Sequence, residues 1–527
     1  MIEGNELADI SATDKTVSSE KLIIRDADLT TINNEINEKV KEGEKKPRKV
    51  NSFSTILSIW NSMIGSTTVS LSYYVYYCGI IPAFLLSIIY GLICFYTCKI
   101  YVDFGSSESD FSITIEKYFK KKFGDRISKI GKNIQILFSM LITLGAGLIY
   151  FLIISQNLYP IACLVLNKLF GLDIDAKDLT PEFSRFSSLY LGIFLCFVLL
   201  PLIVKKDIGF MVKLSSYGIY FISILIIFVL YTGISSLINT KFDFKYIANK
   251  LNSEKRHLKL FGENPALFAG ALSIAYFTHT TILPVLKSNK NQENNIRDLS
   301  LGYYFACFTF SFSGILGYIG FSGKNFDIEF KDNWFLFFDY DNYLILLFRL
   351  LNVFQLITVF PIIIYVVRFQ IFNYFYGSDY PGRTHIMIFG SIIIFLCLIV
   401  LYFCYNFLGK LIGIIGATTS LVLIYTFPPI IKMIDYYFKL KGDKNDVNTH
   451  NNDNDNDNDN DNEKENEKKL TQNIESENDN KVTNENKKNK CIVALYFIGQ
   501  SLIIVVGIAT VIFQIIPINF FNINLEE

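Results

Sequence analysis

Charge is absent from the first apolar stretch of this chain: between Asn51 and Cys98 there is no Asp, Glu, Lys or Arg. Histidine is scarce, with four in 527 residues and no His-Glu-x-x-His pair, which argues against a membrane zinc protease. A Gly-Lys-Ser/Thr phosphate loop and a Gly-x-Ser-x-Gly turn are missing too, so an ATP-driven pump or a serine hydrolase has no motif to rest on. No basic stripe with interleaved aromatics is present, and nucleic acid is not an expected partner. The nine cysteines sit in or beside apolar runs, without metal-ligand spacing or an extramembrane pair. They read as buried small hydrophobes, not as a disulfide framework. No apolar segment follows the polar N-terminus early enough for a cleavable signal peptide, so the first spanning helix is expected to act as signal anchor. A passive pore would need a charged ring or a repeated filter sequence, and neither is visible.

What the chain has instead is long apolar runs. With 51% hydrophobic and 15% aromatic residues and a mean hydropathy of +0.33, it reads as one polytopic membrane protein, not as several soluble domains. The uncharged opening stretch holds two helices of about 20 residues each, joined near Tyr77-Cys78-Gly79. Further runs lie at about 133–160, 187–204, 212–240, 264–286, 299–322, 342–367, 384–408, 410–432 and 491–517, each long enough to span. The sum is eleven helices. Lys45, Lys46, Arg48 and Lys49 precede the first of them and favour a cytosolic N-terminus. The basic linker 103–132 agrees. The loop 241–263 carries six Lys and Arg residues yet falls outside on this count; the count is preferred because the first helix usually dominates orientation.

The expected organisation is therefore a disordered cytosolic tail over 1–50, ten helices over 51–436, a disordered cytosolic loop over 437–490, an eleventh helix over 491–517 and a non-cytosolic tail over 518–527. The loop alternates Asn and Asp from Asn451 to Asn462 and has too little apolar surface to offset its ordering entropy.

Four polar clusters interrupt the apolar runs. The first is Asn61 to Thr68, where Gly65 lies among Asn61, Ser62, Ser66, Thr67 and Thr68. Non-helical backbone at membrane depth survives only against protein or a wet cavity, so this is a broken helix at a substrate site or, alternatively, a close helix contact. The second is Tyr276 to Pro284, with His279 among three threonines at membrane depth. It lies five helices after the first, the offset that inverted five-helix repeats produce between discontinuous helices. The third is Phe354 to Pro361, where Thr358 either offers an oxygen to a small hard cation or bonds back to a carbonyl one turn earlier. Arg349, near the outer end of that helix, reads as snorkelling to the headgroups. The fourth, Gly409 to Ser420, has Gly409 and Gly413 at small-xxx-small spacing and reads as packing.

These residues carry a likeness. Ile59-Trp60-Asn61-Ser62-Met63-Ile64-Gly65-Ser66, the loop from Leu286 to Leu299, and Phe354 to Pro361 with Tyr365 and Arg368 resemble the amino acid/auxin permease group, and within it the sodium-coupled neutral amino acid transporters of solute carrier family 38. The loop is the most specific part, because nothing in helix packing demands its order. The resemblance covers roughly 51–435 and 491–517. It implies an all-α leucine-transporter-type fold of eleven helices, five plus five in inverted repeat with one peripheral. It also implies a secondary active amino acid transporter, not an enzyme, moving neutral or cationic amino acids by alternating access. The substrate would be held by Asn61, Gly65, Ser66, Thr67, His279 and Thr280, its carboxylate at the free N–H groups after the first break. Ser66 stands where a relative in the family carries Thr; the hydroxyl is kept. No cofactor is implied beyond Na⁺ as coupling ion, near Asn61, Ile64 and Thr358, with His279 leaving a proton-linked mechanism open. A lysosomal or endosomal membrane is implied, with the plasma membrane as alternative. A lysosomal member of the family engages Rag GTPases and Ragulator through its tail, so the rival reading is an amino acid sensor acting through residues 1–50.

Overall fold

The structure is a computed structural model that describes residues 50–105, 111–183, 185–205, 217–240, 242–245, 256–322, 331–338, 340, 342–376, 382–451 and 492–516. The N-terminal tail with its expected GTPase partner, most of the Asn/Asp-rich loop, and the C-terminal tail lie outside the described residues.

In hydrocarbon a helix satisfies its own backbone polar groups, and the apolar runs become helices. The chain opens with α1 (Ser52–Met63), a 3-10 turn (Ser66–Ser70) and α2 (Leu71–Cys78). Asn51 caps α1, its side-chain oxygen accepting from the Ser54 N–H at 2.9 Å. Gly79, with φ of 84°, turns the chain into α3 (Ile80–Gly105), at the joint expected from Tyr77-Cys78-Gly79. The short α4 (Phe111–Phe123) leads to α5 (Asp125–Phe170), α6 (Ser188–Val204) and α7 (Gly218–Asn239). Next come two parallel strands, β1 (Phe242–Lys245) and β2 (Arg256–Lys259). The second interrupted helix is α8 (Pro265–Ala275) with α9 (Ile282–Lys287). Then follow α10 (Asn295–Ser322), α11 (Tyr343–Tyr376) and α12 (Arg383–Cys404). The chain continues through α13 (Leu408–Ser420), a π turn (Leu421–Thr426), α14 (Phe427–Asn451) and α15 (Ile492–Ile515).

Among the described residues, eight helices are long and apolar enough to cross a membrane, counting Leu408–Leu440 as one. Of the remaining apolar runs, one is the shorter α6 and two are split about breaks, α1 with α2 and α8 with α9. The result is the all-α polytopic bundle expected, with interrupted helices at the two polar clusters. The loop after β2 lies on the same face as the Gly79 turn: the Gly262 N–H donates to the Cys78 carbonyl at 2.9 Å and the Ile81 N–H to the Leu260 carbonyl at 3.1 Å. We call this the outer face, and the end at which α1 begins the inner face.

Close backbone approach sets the seam between α8 and α13. A Cβ on Gly416 would lie 2.2 Å from the Gly270 carbonyl oxygen, so the small residues of the fourth cluster do serve packing. The peripheral α15 is tied to α3 by hydrogen bonds between Tyr90 and Thr510 hydroxyls at 2.6 Å and from Gln500 Nε2 to the Tyr96 hydroxyl at 2.6 Å. Tyr90→Phe is expected to cost about 1 kcal/mol, read as a small fall in melting midpoint in detergent; an unchanged midpoint would show that this bond holds nothing. The described cysteines are all free, most of them buried, as expected of small hydrophobes.

Two readings change. Arg349 does not snorkel: it is fully buried, donates to the Phe335 carbonyl and lies 5.1 Å over the Tyr340 ring. The turn Trp334–Phe337 folds across it, which the sequence of α11 alone could not reveal. Helix α14 also runs on to Asn451, into the stretch expected to be unstructured from 437.

Candidate functional site

At the first break the α-helical ladder ends with the Ile64 N–H on the Trp60 carbonyl at 3.1 Å, and Gly65 adopts φ −121°, ψ −138°. The 3-10 turn after it runs straight into α2, so the first N–H groups of that segment lack intrahelical acceptors and face the gap. Trp60 Nε1 donates to the Thr309 hydroxyl at 3.1 Å and fixes α1 against α10. At the second break α8 stops at Ala275, and the freed Tyr276 carbonyl accepts from the Tyr303 hydroxyl of α10 at 3.0 Å. Helix α10 thus braces both breaks.

Between the breaks lies a cavity of about 170 Å³. Gly65 and Thr67 line it from the first break and Phe277, Thr280 and Thr281 from the second; Thr143, Ala146 and Tyr150 of α5 and Ile363 of α11 close the far side. Among the described residues no Asp, Glu, Lys or Arg lines it.

Of the residues singled out in the sequence, Gly65, Thr67 and Thr280 meet in this cavity. The Thr67 hydroxyl is buried without a hydrogen-bond partner among the described residues, as is Asn61 Oδ1. The backbone of Ser66 opens the 3-10 turn; its side chain is outside the described set. His279 does not line the cavity. Its ring turns to α3, with Nε2 3.0 Å from the Thr97 hydroxyl, and packs edge-on to Tyr101 and face-on to Phe277. Ile64 is buried in the core, and Thr358 donates to the Gln355 carbonyl at 2.7 Å, the back-bonded alternative. Thr143, Ala146 and Tyr150 went unnoticed in the sequence, although their i, i+3, i+7 spacing puts them on one helical stripe.

The cavity is asymmetric. On its inner side Ser62 and Thr281 are exposed. On its outer side Tyr74 is fully buried and its hydroxyl donates to the Gly409 carbonyl at 3.0 Å, while the Gly409 N–H donates to Asp332 Oδ2 at 3.1 Å. This chain of bonds joins α2, the start of α13 and the loop before α11. Beside it lies an outer cavity of about 690 Å³, lined among others by Tyr73, Tyr77, Asp332 and Lys410. Burial pushes the Asp332 carboxyl up to about 6, although the N–H groups of Gly409 and Leu408 partly stabilise the ionised form.

Residues 48–445 match the family described as transmembrane amino acid transporter protein. The chain belongs to this family. Among its relatives in the family, neutral amino acid transporter 9 of Danio rerio is 25% identical over 441 residues, 75% of this chain and 76% of the relative. The sodium-coupled neutral amino acid transporter 9 homolog of Caenorhabditis elegans is 25% identical over 428 residues, 73% and 68% of the two chains. The crystal structure of MhsT in complex with L-phenylalanine aligns over 74% of this chain and 89% of its own at 16% identity, with a TM-score of 0.41. The family and its relatives make this chain a membrane transporter of amino acids and not an enzyme.

Proposed function

We propose that this protein is a secondary active transporter of neutral amino acids that works by alternating access, with the substrate backbone held at the Gly65 break. One observation carries the reading: an uncharged cavity where two interrupted helices meet, exposed at Ser62 and Thr281 and closed at Tyr74–Gly409–Asp332. Such an asymmetry is what one end state of an alternating cycle looks like. The first N–H groups of the 3-10 turn, reinforced by the dipole of the continuing α2, suit a carboxylate. Thr67 supplies a further hydroxyl. Among the described residues the walls offer no carboxylate to a cationic side chain, which favours neutral substrates over arginine or lysine.

Sodium is the coupling ion we favour. Asn61 Oδ1 is a buried oxygen without a hydrogen-bond partner among the described residues, oxygen ligands suit a hard cation, and the nematode relative is named as sodium-coupled. Thr358 donates its hydrogen to the Gln355 carbonyl and so keeps its oxygen lone pairs available to an ion. The likeness to the lysosomal member of the family favours a lysosomal or endosomal membrane.

The test is uptake of labelled leucine into proteoliposomes in sodium and in choline medium, with unlabelled competitors. Sodium should stimulate uptake, and glutamine or alanine should compete while arginine does not. Arginine competing as well as glutamine would overturn the neutral assignment; equal uptake in choline would overturn sodium coupling.

A further inference from the structure

The loop from Leu286 to Leu299 stood out in the sequence without a structural reason. Its side chains form a knot. Asn289 is fully buried, and its Nδ2 donates to Asp298 Oδ2 at 2.9 Å and to Asn295 Oδ1 at 3.0 Å. Its Oδ1 accepts from the Asn291 N–H at 3.2 Å. Asp298 is buried as well, and its second oxygen takes Arg297 Nη2 at 2.9 Å. Gln292 Nε2 lies within 3.1 Å of three carbonyls, those of Leu286, Lys287 and Asn289, and so closes the end of α9. These bonds weld the end of α9 to the start of α10.

The same knot reaches the first broken helix. Val50 pairs with Asn289 as a parallel bridge: its N–H donates to the Ser288 carbonyl at 2.8 Å, and its carbonyl accepts from the Lys290 N–H at 2.7 Å. The next residue, Asn51, is the cap of α1. Both inner half-helices, α1 below Gly65 and α9 below Thr280, are therefore fastened at their far ends to one buried hydrogen-bonded unit. Ser62, on α1, and Thr281, directly before α9, are the exposed residues at the cavity mouth.

We propose that the Val50 bridge and the Asn289–Asp298 knot make the inner halves of the two broken helices a single gate, with Asn289 as its positioning residue. The inference rests on the alternating-access reading for its meaning in transport, but not for its structural content. Two half-helices of 12 and 6 residues, each interrupted at one end, are thus joined by backbone and side-chain hydrogen bonds in addition to the packing of α1 on α10 through Trp60 and Thr309. Burying Asn289 and Asp298 makes breaking the knot costly, because each would leave the other's polar group unsatisfied.

The full-length protein in nanodiscs tests this through spin labels at Phe53→Cys and Lys287→Cys, both exposed positions. Their separation, measured by electron paramagnetic resonance, should be narrow and unchanged with sodium, with sodium plus leucine, or with neither. Asn289→Ala should broaden it and add a longer component, and Gln292→Ala should do so more weakly. In uptake assays Asn289→Ala should lower maximal rate with little change in KM. A broad or condition-dependent distance in the parent, or an unchanged narrow distance in a folded Asn289→Ala or Gln292→Ala variant, would overturn the single gate. Absence of uptake in the parent with the distances as expected would instead count against the transport reading.

Discussion

Gly65→Leu is expected to abolish transport while the protein still folds and inserts. A Cβ at this position would sit 2.7 Å from the Tyr150 hydroxyl oxygen, and the rest of the leucine side chain would extend into the 170 Å³ cavity. The atom it meets first is the far end of a side chain, not backbone, so the fold can yield while the cavity cannot. Losing the site should reduce uptake by about a hundredfold or more, or about 3 kcal/mol of binding. Gly65→Ala should be intermediate, because Tyr150 can move aside for one methyl group. Uptake per inserted molecule is the readout, and a Gly65→Leu protein with parental uptake would place the substrate elsewhere.

The second large effect concerns Asp332, which lies outside the spanning helices. Its carboxyl titrates near 6 in the folded protein against an unfolded value of 3.8, because burial penalises the charge. Tyr74 and Lys331 are the neighbouring groups that feel or modify that charge. The sign follows from the raised value. Below 3.8 the carboxyl is neutral in both states; between 3.8 and 6 only the folded form keeps the proton; above 6 the folded form carries a buried charge. Stability is therefore highest in acid and falls as pH rises through this window, by about 3 kcal/mol in all. Asp332→Asn keeps the shape and an acceptor for Gly409 without the charge. Its melting midpoint should exceed that of the parent at neutral pH and match it at pH near 4. Parallel melting curves for the two proteins across the pH range would contradict the assignment.

How much of this was legible in the sequence depends on where each signal came from. The two breaks were visible because polar and small residues in uncharged runs can only be there at a cost, and Gly65 and the Thr278–Thr281 cluster both lie where the helices stop. Three residues that line the cavity, Gly65, Thr67 and Thr280, had been singled out from the breaks and the family likeness. His279 is harder. Past a break the helical phase is lost, so its membership of the cluster could not say that its ring faces Thr97 and not the cavity. Asp332 was missed because an aspartate in a connecting loop looks solvated, and only the fold brings α13 over it. Arg349 was misread for the same reason, since the turn that buries it comes before α11 in the chain. The Leu286–Leu299 order was seen as specific, but its cause is a three-way hydrogen-bond unit that no periodicity encodes.

The central claim is that the cavity between the two breaks carries a neutral amino acid across the membrane. Counterflow in proteoliposomes tests it most directly. Vesicles preloaded with unlabelled leucine or glutamine should accumulate the labelled amino acid transiently above equilibrium, and Gly65→Leu vesicles should not. If preloaded vesicles of the parent protein show no accumulation of leucine, glutamine or arginine under any sodium or proton gradient, the account is wrong.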